Sequence, residues 1–203
     1  MNRLLGDIYP LIYLVGWIVM WAIRVPHLRK SLDTPGTEKE GKTKDKLLVL
    51  ILFLGTSVLP LISILTPWLD AFSFHNPTWL GPIGTSLLVV GLIILYLGHR
   101  DLSANYSQDL EIKNEHHLVT NGIYQHIRNP MYAAGFLMAL SQIGLLENWL
   151  SGSAGIVTLT VFYVLRLPEE EAMLLKHFGE PYRIYMQTTP RLVPRLGKRN
   201  PKR

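Results

Sequence analysis

Apolar residues along the chain fall into five runs, separated by polar segments of very unequal character. The first run extends from Ile8 to Val25, carries Trp17 and Trp21, and ends at Arg24, Pro26 and His27; at about 18 residues it just crosses a ~30 Å hydrocarbon layer. Leu28 to Lys46 is polar, with Asp33-Thr34-Pro35-Gly36 as a turn, and reads as a loop outside the bilayer. Leu47 to Leu65 is almost uninterrupted apolar sequence, with Pro60 as an expected kink. A third span covers Ile83 to Gly98. Met131 to Leu146 and Gly152 to Leu167 follow as a hairpin joined at Glu147-Asn148-Trp149. The tail from Pro168 predicts helix up to Phe178, a glycine C-cap at Gly179 and helix again through Tyr182 and Tyr185, until Pro190 and Pro194 stop it.

These runs predict an all-α fold: a polytopic membrane helix bundle of five transmembrane helices with a short cytoplasmic helical tail, forming one integral membrane domain over 1–203. The cations orient it. One Lys or Arg precedes the first span, seven lie from Arg24 to Lys46, none in Thr66–Pro82, three between Arg100 and Arg128, none in the hairpin turn, and nine from Arg166 onward. Every well-charged segment falls on one face, so the positive-inside rule places the N-terminus outside and the C-terminus in the cytoplasm. A prokaryotic plasma membrane suits this pattern, or the endoplasmic reticulum in a eukaryote.

Composition narrows the function. Only 17% of the 203 residues are charged and nearly half are hydrophobic, unlike an ordinary soluble domain. The net charge of +5 is divided by long apolar runs, which favours anionic lipid over nucleic acid as partner. No cysteine is present, so thiolate chemistry and cysteine-ligated metal are excluded. The histidines do not fall at metal-ligand spacing on a shared helix face either, and no metal is expected.

One polar cluster stands out against this background. His116 to Tyr132 reads H-H-L-V-T-N-G-I-Y-Q-H-I-R-N-P-M-Y, crowding imidazoles, phenols, an arginine and an Asn-Pro break between two apolar segments. Polar groups at hydrocarbon depth are costly unless they line a cavity or meet a ligand. The hairpin returns the chain to its starting face, bringing Arg166 and Glu169–Glu171 toward Tyr124, Arg128 and Tyr132. Opposite charges on two walls suit a zwitterion: Arg166 would grip a carboxylate or phosphate through its planar fork, and a carboxylate across from it an ammonium. Each residue also has a plain structural explanation. The histidines could be satisfied interfacial residues, with His126 on the surface. Arg128 and Arg166 could snorkel to lipid phosphates. Glu169 to Glu171, following Pro168, could complement a helix N-terminus, and Tyr182 and Tyr185 could be aromatic-belt anchors.

The pattern H-x-L-V-T-x-G-x-Y-x-x-x-R-N-P-x-Y at His116 to Tyr132, followed by R-x-x-E-E-E and F-G-x-x-Y from Arg166 to Tyr182, resembles the isoprenylcysteine carboxyl methyltransferase family and its phospholipid methyltransferase relatives. The resemblance covers roughly the C-terminal half, and five spans suit the prokaryotic members. It implies a transmembrane methyltransferase that uses S-adenosylmethionine without a Rossmann domain. The chain indeed holds no G-x-G-x-x-G fingerprint. Matched position by position, the resemblance implies a cofactor region over about 116–132 and 166–195. His116, His117, Leu118 and Val119 would lie near the adenosine, followed by Tyr124, Asn129, Pro130, Met131 and Tyr132, with Glu170 as a further cofactor ligand. Arg166 would be the catalytic residue at the substrate. The sequence departs at Asn129, where the best-known members carry histidine; asparagine donates and accepts hydrogen bonds but cannot become cationic. Gln108 falls one position off the spacing of the family's upstream glutamine.

Methyl transfer from a sulfonium to a carboxylate is an in-line displacement, and a carboxylate with a pKa of about 3.5 is ionised at neutral pH without a general base. The expected substrate is a prenylated or other lipophilic acid entering sideways from the bilayer. A phospholipid amine is the alternative acceptor, and would need one of Glu169, Glu170, Glu171 or His126 as base. A small transporter or assembly subunit is the non-enzymatic alternative, although no internal repeat is visible. A nicotinamide-dependent membrane reductase would need more spans. Oligomeric state is left open.

Overall fold

A computed structural model describes residues 8–33, 42–75, 77–102 and 118–195. The described residues form a bundle of helices. Helix α1 is Ile8–Asp33, α2 is Lys42–Phe53, a π turn covers Leu54–Val58, and α3 is Leu59–Leu65. Helix α4 is Leu80–Leu102, α5 is Pro130–Leu146, α6 is Trp149–Phe178 and α7 is Glu180–Thr188. Among the described residues, four helical segments are long and apolar enough to cross a membrane: Ile8–Leu28, Thr43–Leu65, Leu80–Leu102 and Trp149–Phe178. The fourth predicted span, α5, is a shorter apolar helix of 17 residues, roughly 26 Å long at the α-helical rise.

Several boundaries differ from expectation, each for a physical reason. Helix α1 runs through Pro26 to Asp33, so the first part of the expected loop is helical. Helix α2 begins at Lys42 and buries Asp45. Helix α6 continues eleven residues past Leu167, with Pro168 inside it. There is therefore no helix N-terminus at Pro168 for Glu169–Glu171 to complement. Proline costs one backbone bond, and a helix already nucleated and packed along its length tolerates that loss.

Pro60 does interrupt its span, as a π turn rather than a simple kink. Pro60 has no N–H for the Thr56 carbonyl, and the Leu59 N–H reaches back to Leu54. Side chains repair the loss: Tyr13 Oη donates to the Thr56 carbonyl at 2.6 Å, and Gln142 Nε2 to the Gly55 carbonyl at 3.0 Å. Gly55 is needed there because a Cβ would run into the Thr158 side chain and the Ala154 carbonyl of α6.

The largest helix contact joins α4 to α5. Gly84 and Gly91 let the backbones approach, the former against Gly144 and the Ser141 carbonyl, the latter against the Ala134 carbonyl, as small residues do between membrane helices. The hairpin turns at Glu147, in the left-handed region. Asn148 then caps α6, accepting from the Ser151 N–H at 3.0 Å and donating to the Leu69 carbonyl at 2.6 Å. The second turn is Gly179, whose φ of 61° reverses the chain between α6 and α7. The hairpin and this reversal bring the tail back to the start of α5.

Candidate active site

Three stretches distant in sequence meet at that end of the bundle. The first is the loop before α5, held to α4 by the Ile123 N–H on Asp101 Oδ2 at 2.8 Å. Within it, Tyr124 sits on the 3₁₀ turn Gly122–Gln125 with its hydroxyl 3.4 Å from the Gly98 carbonyl. Asn129 has φ −123° and ψ 64°, away from the helical region that the ring of Pro130 forbids it, and Pro130 opens α5. The second stretch is the C-terminal part of α6. The third is the tail: the Arg128 N–H donates to the Pro190 carbonyl at 2.8 Å and the Asn129 N–H to the Arg191 carbonyl at 3.0 Å. Tyr185 Oη closes the junction on the Tyr124 carbonyl at 2.6 Å.

The run Glu169-Glu170-Glu171 shows what a helix does with three adjacent carboxylates. Successive residues turn by about 100°, so each faces a different neighbour. Glu169 points outward and pairs with Lys44 of α2. Glu170 accepts from Tyr132 Oη at 2.9 Å. Glu171 is buried, 3.2 Å from Arg128 and bound through both oxygens by Arg191 at 3.0 and 2.7 Å. Arg166, one turn before Glu170, is 6% exposed and lies over the Phe162 ring, 5.2 Å from its centroid.

These groups surround a cavity of about 370 Å³. Leu118, Val119, Tyr124, Asn129, Pro130, Met131 and Tyr132 line its mouth, the end beside the tail junction, and Arg166 and Glu170 line it from α6. His116, His117 and Gln108 lie outside the described residues. His126 is exposed and lines no part of the cavity. Asn129 Nδ2 is a buried donor without an acceptor among the described residues, so it is available to whatever fills the space.

Tyr182 and Tyr185 overturn their assignment as aromatic-belt anchors. They are 2% and 7% exposed and line the cavity. Burial pushes the Tyr182 phenol up to about 12, with the Glu171 carboxylate adding to the effect. Burial raises the Tyr185 phenol too. Both stay protonated donors at neutral pH. Their i, i+3 spacing on α7 was the available signal. Arg191 carried none, because in sequence it is one cation among many in a basic tail. Its hydrogen bond to Glu171 holds its guanidinium above the usual range. The N-terminal helices also contribute: Tyr13, Trp17, Met20 and Arg24 form one stripe of α1 along the cavity.

Chemically, the mouth offers a cation, a carboxylate bonded to a phenol, a free amide donor and short apolar walls. A zwitterionic ligand fits that donor set, and the apolar interior beyond it fits a hydrocarbon tail.

The sequence model of the isoprenylcysteine carboxyl methyltransferase family matches residues 84–176. Protein-S-isoprenylcysteine O-methyltransferase B of Arabidopsis thaliana is 30% identical over 118 residues, covering 57% of this chain and 60% of that protein. The human protein-S-isoprenylcysteine O-methyltransferase is 26% identical over 189 residues, covering 88% of this chain and 64% of that one. The chain thus spans less than two-thirds of the length of these relatives. A solved eukaryotic intramembrane Ras methyltransferase, isoprenylcysteine carboxyl methyltransferase, superimposes with a TM-score of 0.53 at 24% identity, over 75% of this chain and 52% of that one. At that identity the likeness concerns the membrane helix bundle alone.

Proposed function

We propose that this chain, whose segment 84–176 matches the sequence model of the isoprenylcysteine carboxyl methyltransferase family, is an integral membrane methyltransferase that uses S-adenosylmethionine to methylate the carboxylate of a lipophilic acid. The observation that carries the proposal is the Tyr132–Glu170 hydrogen bond beside Arg166, on the wall of a cavity whose interior is apolar. The cavity mouth faces the cytoplasm, with the N-terminus outside, and a prenylated or similar lipophilic substrate arrives from the bilayer.

Glu170, oriented by Tyr132, would hold the cofactor's ammonium end. Asn129 would supply a donor, and Leu118 and Val119 would lie against the adenine. When bound, the cofactor supplies an electrophilic methyl on a sulfonium. The residues around it have three tasks: Arg166 fixes the acceptor carboxylate, the apolar wall excludes water, and the Glu171 staple keeps the tail closed over both. No protein base is required, because the acceptor is already ionised. Orientation and dehydration are the terms left for the protein to provide.

A labelled-methyl assay with a farnesylated cysteine analogue and, separately, with a membrane lipid amine tests this. Transfer to the acid, at a rate flat between about pH 6 and 8, is expected for an acceptor whose pKa is about 3.5. A rate that climbs with pH and goes only to the amine would replace carboxylate methylation with amine methylation.

A further inference from the structure

Resting on the proposed function, we infer that the end of the cavity farthest from Arg166 is a fixed floor that sets the maximum length of the substrate's tail. Lining positions on each helix run from a cytoplasmic to a deep end. They end at Tyr13 on α1, Thr56 in the π turn, Leu88 on α4, Gln142 on α5 and Leu159 on α6. Between Met131 and Gln142, eleven residues apart on α5, the depth is roughly 16 Å at the α-helical rise.

Two observations make this floor rigid. Its polar members are committed to the backbone defect at Pro60: Tyr13 Oη to the Thr56 carbonyl at 2.6 Å and Gln142 Nε2 to the Gly55 carbonyl at 3.0 Å. Gln142 also reaches the Ser151 carbonyl at 2.8 Å, and Trp17 Nε1 reaches Ser57 Oγ at 3.0 Å. Moving either Tyr13 or Gln142 aside would leave a carbonyl unpaired in the bilayer interior. The apolar members have nowhere to retreat, since Leu88 and Leu159 are only 4% and 5% exposed. A tail can therefore lengthen until it touches this plate. Each further methylene then has to bend back toward the mouth or displace a hydrogen-bonded side chain.

The test is equilibrium binding of a homologous series of straight-chain carboxylic acids to the full chain in detergent micelles, read by displacement of a fluorescent fatty acid. Affinity is expected to rise roughly fourfold per methylene up to a break, beyond which it falls. Leu88→Ala and Leu159→Ala each open the floor and move the break to longer acids; Ala139→Leu fills the space above it and moves the break to shorter ones. Cooperative thermal unfolding checks that each variant is folded, and titration with S-adenosylhomocysteine tests the methyltransferase reading separately. A wild-type series without a break, or a break at the same length in all three variants, overturns the inference. If the break moves as expected while S-adenosylhomocysteine binds to none of the proteins, the floor stands and the methyltransferase reading fails.

Discussion

The two ends of the cavity are built on different principles. At the mouth, charged groups converge from three separate stretches: Arg128, Glu171 and Arg191 form one cluster, Tyr132, Glu170 and Arg166 another. At the floor the hydrogen-bonding groups are neutral, and they serve to satisfy carbonyls freed by the π turn and Pro60. Charge is concentrated where a polar ligand would compensate its desolvation. Where only a hydrocarbon tail would arrive, the fold uses uncharged donors and shape. The same distinction separates the glutamates, since Glu170 and Glu171 are turned inward and Glu169 is left to a half-exposed pair with Lys44.

The sharpest way to break the mouth is Glu171→Ala. It strands Arg128, whose side chain is 7% exposed, and a buried charge that loses its partner costs roughly 3–5 kcal/mol. Thermal unfolding should show that loss, whereas Arg191→Ala, with a side chain 52% exposed, should cost only about 0–1 kcal/mol. Equal costs would mean the cluster is not organised around Arg128. Next comes Arg166→Ala, expected to lower methyl transfer by roughly 10²-fold through lost orientation and electrostatic hold on the acceptor, with S-adenosylhomocysteine affinity nearly unchanged. A matching loss of affinity would put Arg166 on the cofactor instead.

Smaller effects compare the two ends directly. Tyr185→Phe removes the hydrogen bond to the Tyr124 carbonyl and should cost about 0.5–1.5 kcal/mol together with weaker cofactor binding. Tyr13→Phe, at the floor, should cost about 1 kcal/mol, in line with hydrogen bonds between membrane helices. It should change S-adenosylhomocysteine affinity by no more than about twofold, as expected for a distant site. Lys44→Ala should be the mildest, within about 1 kcal/mol.

The legibility of the sequence follows the same division. The mouth could be read because its residues sit in two compact runs: His116 to Tyr132 and Arg166 to Tyr182. The Glu147-Asn148-Trp149 turn showed that a hairpin carries one run back to the other. Apolar run lengths located the membrane helices, though not their ends, since α1 and α6 continue as helix through Pro26 and Pro168. The floor was hidden. Tyr13, Trp17, Met20 and Arg24 have the spacing of any helical stripe, lipid-facing or not. The partnership of Gln142 with Gly55 spans 87 positions and depends on a π turn that no local pattern announces. Arg191 is found only by knowing where Gly179 turns the tail.

The most direct measurement is calorimetric titration of S-adenosylhomocysteine, with NADPH as a parallel ligand, into the wild type, Glu170→Ala and Tyr132→Phe. Expected is saturable binding of S-adenosylhomocysteine to the wild type, none of NADPH, and an affinity reduced by roughly tenfold or more when Glu170 is truncated, the scale of a lost charge-assisted hydrogen bond, with a smaller loss for Tyr132→Phe. Failure of the wild type to bind S-adenosylhomocysteine, or equal affinity in all three proteins, would contradict a methyl-donor site built between the Asn129-Pro130 segment and the α6 glutamates.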